Sequence, residues 1–293
     1  DLNFKTQGSG AAATERMRID SSGFTKHSNT GVYDTYSGAD DSHQFISNNT
    51  GHSTLWINNT NASYDAGMLR TESVRGASSA FSFFVCTSGN LTDDEFKLRG
   101  DGNAFADGTW SGGGADYAEY FEWNDGNTNN EDRVGYSVSL VNNKIKIAES
   151  GETVIGVISG NPSVVGDDSW NSWKNKYLKD DFERYVWEDY TLTTWTTEDL
   201  IEKSYHSDRV PDDEVVPEDA VITTQDSAGN AYKRKQLNPN YDDSFGYQNR
   251  ESRSEWDIVG LTGKLRIRAG QEVGVSWIKM RDISATVEEW LIK

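Results

Sequence analysis

Over residues 1–115 apolar positions alternate with polar ones in short runs, and almost nothing recurs at a helical spacing. The runs at 1–6, 15–20, 53–58 and 96–99 are separated by Gly, Asn, Asp and Ser, so each reads as a short strand bounded by turns. A single chain with so few large apolar residues is poorly supplied to build one core of its own over this length. Strands with one apolar face apiece are better covered between chains, which points to an intertwined or stacked trimeric β structure. The apolar run at 81–86 ends in Cys86, the one cysteine of the chain, read here as a small buried hydrophobe with no disulfide partner.

Around residues 104–115 the composition changes to a Gly-rich linker, and large aromatics follow at once in Tyr117, Tyr120, Phe121 and Trp123. This places a domain boundary near 115. Beyond it, 133–140, 144–148 and 153–159 read as strands, the first two joined across Asn142-Asn143 and the third continuous enough to be buried on both faces. Residues 257–261 and 264–268 read as a hairpin turning at Thr262-Gly263. The likeness between 154–160 and 258–263 fits either a duplicated hairpin or two strands of similar composition. Residues 170–190 fit strand or short helix. Short helices are expected at 196–204 and at 285–292, where Val287 and Leu291 stand four apart. The fold class is therefore mainly β with a few short helices, divided into 1–115 and 116–293.

Charge narrows the functional classes. The 293-residue chain carries 47 acidic against 28 basic side chains, a formal net charge of −19. Such a surface repels phosphate backbones and anionic membranes, so neither nucleic-acid binding nor membrane insertion is expected. No run of about 18 apolar residues occurs that would span a bilayer as a helix. The chain starts at Asp1 in strand-like sequence, without the pattern of a signal peptide, and reads as a fragment of something longer. Ten Trp and 13 Tyr argue against disorder.

Candidate chemistry concentrates in Gly112-Gly113-Gly114-Ala115-Asp116-Tyr117-Ala118-Glu119-Tyr120-Phe121-Glu122-Trp123. The glycines permit close approach or unusual backbone angles. Asp116, Glu119 and Glu122 follow among aromatic rings, where a carboxylate is destabilised and can serve as general acid or base near neutrality. Composition alone equally describes a linker followed by a strand with aromatics inward and acids outward. Asp125, Asn127, Asn129 and Glu131 alternate like the first half of a calcium loop but lack its central glycine and closing glutamate. His27, His43, His52 and His206 are scattered without ligand spacing, so no metal and no cofactor are expected. Trp170, Trp173, Tyr177, Trp187 and Trp195 suit an interface or core cover better than a carbohydrate platform. Residues 212–219 read as an exposed acidic loop. Lys233-Arg234-Lys235 reads as a solvated basic loop, with a neighbour's acidic loop or an anionic trigger as other uses. No Ser/His/Asp set supports a free-standing hydrolase.

The segment at 112–123 resembles the start of the autoproteolytic intramolecular-chaperone domain of phage neck-appendage, tail-spike and tail-fibre proteins, a glutamic-peptidase type. The resemblance continues through 124–127, 130–135, 155–167, 176–182, 237–242 and 255–264 in family order, and Thr14 to Gly23 resembles a unit found just upstream in fibre proteins. It implies a virion protein whose C-terminal part, 116–293, helps three chains assemble and is then cut from the β-rich fibre or spike segment, 1–115. The implied partners are two further copies and other tail proteins, with a host-surface receptor as another. The implied cleavage site is Ala115–Asp116, with Glu119 as catalytic carboxylate; from proximity, Asp116 would orient the bond or protonate the leaving amine. Some relatives carry Ser before the Asp where this chain has Ala115; a water-mediated carboxylate mechanism needs no hydroxyl there. The rival reading is a non-cleaving receptor- or glycan-binding fibre tip.

Overall fold

The computed structural model describes all residues except 8–11, 21–22, 31–42, 49, 90–91, 169–175, 199–200, 243, 245 and 247. The chain divides into two compact units, Asp1–Thr71 and Glu72–Lys293. Residues 72–115 thus pack with the C-terminal unit.

The first unit holds one four-stranded sheet, β1 (Leu2–Thr6), β2 (Thr14–Ile19), β3 (Thr25–Ser28) and β4 (Gln44–Ile46), in that order. The first three pair antiparallel and β4 joins β3 in parallel. Every residue of β1 is exposed, its apolar Leu2 and Phe4 included. The strand expected at 53–58 is absent: these residues form no ladder and Leu55, Trp56 and Ile57 are exposed. Alternation alone supplies no pairing partner, and without one the backbone groups stay with solvent.

The second unit opens with a three-stranded meander of β5 (Ser82–Ser88), β6 (Asp93–Arg99) and β7 (Ala104–Ala106). Cys86 lies on β5 and is only half-buried, because this narrow sheet has no layer thick enough to enclose it. The main sheet has eight strands: β8 (Asp116–Glu122), β9 (Ser137–Val141), β10 (Lys144–Ile147), β11 (Val154–Ile158), β12 (Val164–Gly166), β18 (Trp256–Arg268), β19 (Ile278–Asp282) and β20 (Val287–Ile292). Between β12 and β18 the chain adds β13 (Trp187–Asp189) paired with β17 (Lys233–Lys235), and a three-stranded sheet of β14 (Leu192–Thr196), β15 (Glu202–His206) and β16 (Val221–Thr223).

The β9–β10 hairpin turns where expected, with Asn142 and Asn143 at φ 49° and 62°, the two left-handed positions a tight hairpin needs. The hairpin expected at Thr262-Gly263 is instead one continuous strand: β18 runs straight through these residues. Its first half pairs with β8 on one edge and β11 on the other, and residues 263–268 pair with β20. Three partners in succession hold it extended. The similar segments at 154–160 and 258–263 meet each other here, Val157 opposite Gly260 and Ile158 opposite Val259.

Both expected short helices are replaced by strands. Residues 285–292 include β20, which pairs with β18 and β19; Glu288 and Glu289 reach Lys279 and Arg281 across the sheet rather than partners one helical turn away. Thr196 closes β14 and Glu202 opens β15, which pair with each other; Asp199 and Leu200 lie outside the described residues. Among the described residues the one helical element is a 3₁₀ turn at Arg250–Ser252.

One core cluster joins Trp123, Val138, Ile145, Ile158 and Val259, where β9, β10, β11 and β18 meet the end of β8. A second joins Val157, Leu265, Ile267 and Ile292. The glycine-flanked start of β8 is therefore fixed to a rigid sheet.

Candidate active site

The chain enters β8 through Gly112, Gly113 and Gly114, none of which has positive φ. Their use is close approach rather than unusual angles. A Cβ on Gly114 would lie 2.4 Å from the Asn161 carbonyl oxygen and 2.2 Å from the Pro162 carbonyl carbon. Only a bare backbone can lie this tightly along 161–163.

The Ala115–Asp116 amide is held at its carbonyl, and the next peptide is held as well. The Ala115 carbonyl accepts from the Lys264 backbone N–H at 3.2 Å, and the Asp116 carbonyl accepts from Ser163 N–H at 2.8 Å. A donor aimed at the Ala115 oxygen favours negative charge there, as an addition step requires. Gly263, directly opposite Asp116 in the ladder, sits at φ 115°, and a Cβ on it would lie 2.4 Å from the Ala115 oxygen.

The Asp116 side chain is buried, with 6% of its surface exposed. Ser159, itself buried just past the end of β11, lies beside it, while Oδ2 has no hydrogen-bond partner among the described residues. Burial pushes this carboxyl above its ordinary value, and the nearby Ser159 hydroxyl opposes the shift only partly. The amide and this carboxyl lie along a cleft of about 450 Å³ whose walls include Gly113, Gly114, Ser159, Lys264 and Arg266.

Glu119 lies elsewhere. Three residues along a strand span about 10 Å, and odd offsets point to opposite faces. Asp116 and Ala118 are buried on one face; Tyr117 and Glu119 share the other, the Tyr117 hydroxyl donating to Glu119 Oε1 at 2.6 Å. The third carboxylate, Glu122, pairs with Lys144. One chain thus brings Asp116 to the amide and does not bring Glu119 there.

Ser159, Lys264 and Gly263 complete the site and were not assigned roles from sequence. They lie inside the segments 155–167 and 255–264 that carried the resemblance, but their meeting depends on the β8–β18–β11 pairing.

Other candidates resolve differently. In the loop resembling a calcium site, Arg133 donates to both oxygens of Asp125 at 3.0 and 2.8 Å and reaches Glu131, while its guanidinium lies 4.4 Å over Trp123. A cation is present in the loop as an arginine side chain. The basic run is strand β17 rather than a loop: Lys233 pairs with Asp189, and Arg234 with Glu188 and Asp208. Within the acidic loop, Glu214 accepts from Lys203 and Tyr205. Trp195 is buried and Trp187 exposed; Trp170 and Trp173 lie outside the described residues.

An all-β chain with an amide clamped beside a buried carboxyl has the parts of a self-processing protein. Residues 68–290 match Peptidase_G2, the IMC autoproteolytic cleavage domain, and the chain belongs to that family. It is 31% identical over 180 residues to the pre-neck appendage protein of Bacillus phage B103, covering 61% of this chain and 16% of that protein. To the pre-neck appendage protein of Bacillus phage phi29 it is 32% identical over 165 residues, covering 56% of this chain and 14% of that protein. The crystal structure of pre-mature phi29 gene product 12 gives a TM-score of 0.49 at 26% identity, covering 68% of this chain and 24% of that one. The chain spans under a fifth of the length of these two curated relatives.

Proposed function

We propose that this chain is the C-terminal part of a phage appendage protein, located in the virion beside other tail proteins, and that it cuts itself at Ala115–Asp116 within a homotrimer. The observation that carries the reading is the buried Asp116 carboxyl, its pKa raised by desolvation, beside an amide whose carbonyl is held by Lys264 N–H. Water adds to the Ala115 carbonyl carbon, the C–N bond breaks, and the products are an Ala115 carboxylate and an Asp116 amine. Asp116 supplies the proton the leaving nitrogen needs.

Glu119 supplies the base across a chain boundary. Its face of β8 is open and carries exposed Tyr117 and, on the adjacent β12, exposed Val164. A neighbouring copy seated there would bring its own amide toward this carboxylate. Three chains with non-local β pairing must find one register before burying their apolar faces, and a domain that trimerises first raises their local concentration. Cutting afterwards makes assembly hard to reverse. The chaperone boundary is then 116–293.

Mixed expression tests this. Asp116→Asn and Glu119→Gln, each alone, are expected to leave the full chain by intact mass. Co-expressed, the Glu119→Gln chain keeps a competent bond and borrows Glu119 from its partner, so fragments of that chain alone reappear. Their absence would remove the cross-chain role of Glu119; full cutting in both single variants would remove the site. A single full-length species from the wild-type chain under all conditions would favour the non-cleaving fibre tip.

A further inference from the structure

Upstream of the proposed cut, hydrogen bonds and ion pairs among the described residues tie the chain to the downstream domain at two places. One is the cleft itself, where 112–115 lie against 161–163 and Lys264. The other lies some forty residues earlier, at Val74-Arg75-Gly76. His206 contacts the Val74 carbonyl through Nε2 at 2.9 Å, Arg75 pairs with Asp226 at 2.8 Å, and the Gly76 N–H donates to the Tyr190 hydroxyl at 2.7 Å. Between these anchors stands the β5–β7 meander, with its own sheet pairing.

The second anchor is a shaped receptor for extended backbone. A carbonyl can only accept, so His206 carries its hydrogen on Nε2; Nδ1 is then free to accept from Arg234 at 3.2 Å. Arg234 is fixed in turn by Asp208 and Glu188, and the His206 ring stacks on Tyr190 with centroids 4.1 Å apart. Asp226 is held by the Ala228 and Asn230 backbone N–H groups as well as by Arg75. All these supports lie within 188–234, on the far side of the proposed cut. At Gly76 an added Cβ would lie 2.9 Å from the Tyr190 ring and 3.0 Å from the Lys233 carbonyl, so a larger residue there would force the ring to shift.

We propose that the Tyr190–His206–Asp226 surface is a binding site for the Val74-Arg75-Gly76 segment that keeps the two cleavage products together after the 115–116 bond is broken. The inference rests on the proposed cleavage at that bond. Release of the downstream domain then requires this strap to let go, so cutting and departure are separate events.

The test uses the whole chain with a site-specific protease sequence inserted after the exposed Gly108, so that nicking does not depend on self-cleavage. After complete nicking the fragments are expected to co-elute in gel filtration. Gly76→Val, Arg75→Ala and Tyr190→Phe are each expected to weaken their association about tenfold or more, read by dilution. The first two lie outside the downstream domain, and Tyr190→Phe removes one hydroxyl, so a fold defect is separable by comparing melting of the uncut variants. Fragments that separate on nicking of the wild-type sequence, or that stay associated with undiminished affinity in all three variants, would overturn the strap. Self-cleavage failing while the nicked fragments co-elute through these contacts would overturn the cleavage reading alone.

Discussion

At the scale of single residues, Asp116 has the most consequential environment. Desolvation raises its folded pKa above the ordinary value of 3.8. The folded state therefore holds a proton over a pH range in which the unfolded chain has released it. The stability contribution of this group is present below the unfolded value and is lost as pH climbs through the raised one. In a Glu119→Gln background, which isolates stability from cutting, adding Asp116→Asn is expected to become increasingly stabilising as pH rises above the ordinary value of 3.8, levelling off beyond the raised folded one. Urea midpoints across that range check the sign; a difference constant with pH would mean the carboxyl has the same pKa in the folded and unfolded states. Glu119, by contrast, was placed by sequence next to Asp116 in function, yet strand pleating turns it to the other face.

At the scale of elements, β18 organises the site. It pairs with β8 through residues 256–263, contacts β11 at Val259 and Gly260, and passes to β20 at Gly263. The register brings Gly263 opposite Asp116 and the Lys264 N–H onto the Ala115 carbonyl. Gly263→Ala adds a Cβ at 2.4 Å from that oxygen and forces a φ of 115° that alanine avoids. The expected result is self-cleavage slowed by at least about tenfold through loss of the carbonyl's donor, with the β content of the circular dichroism spectrum retained. Cutting at the wild-type rate would show that the Lys264 donor has no part in the reaction. From sequence, the glycine and its neighbours suggest a turn, because a Gly flanked by strand-like residues is the usual hairpin signal. The observed φ serves a close approach between strands instead.

At the scale of the whole molecule, Trp123 ties the glycine-hinged strand to the core. It is 1% exposed, packs with Val138, Ile145, Ile158 and Val259, and donates from Nε1 to Asp257 at 2.8 Å. Trp123→Ala is expected to lose about 3–5 kcal/mol of unfolding free energy, read from denaturant melts. A loss under about 1 kcal/mol would mean that the cluster is not the main support of this unit. The mainly β class was legible from alternation and turn residues, as were the strands at 2–6, 14–19 and 144–147 and the Asn142-Asn143 turn. The helix expected at 285–292 differs from the observed strand because residues four apart, such as Val287 and Leu291, also satisfy a period of two. Pairing of β20 with the distant β18 settles the choice, and that contact is non-local.

The covalent order of residues by itself determined that the chain is β-rich, strongly acidic and hinged by glycines at 112–114, because composition and period-two patterning are local properties. It also carried the family likeness that singled out Ala115, Asp116 and Glu119. Tertiary structure alone decided that Asp116 is buried against Ser159, that Lys264 addresses the neighbouring carbonyl, that Arg133 fills the acidic loop and that Glu119 faces away. Each of these depends on which strands pair and in what register. Pairing energy is set between segments far apart in the chain, so no window of sequence contains it.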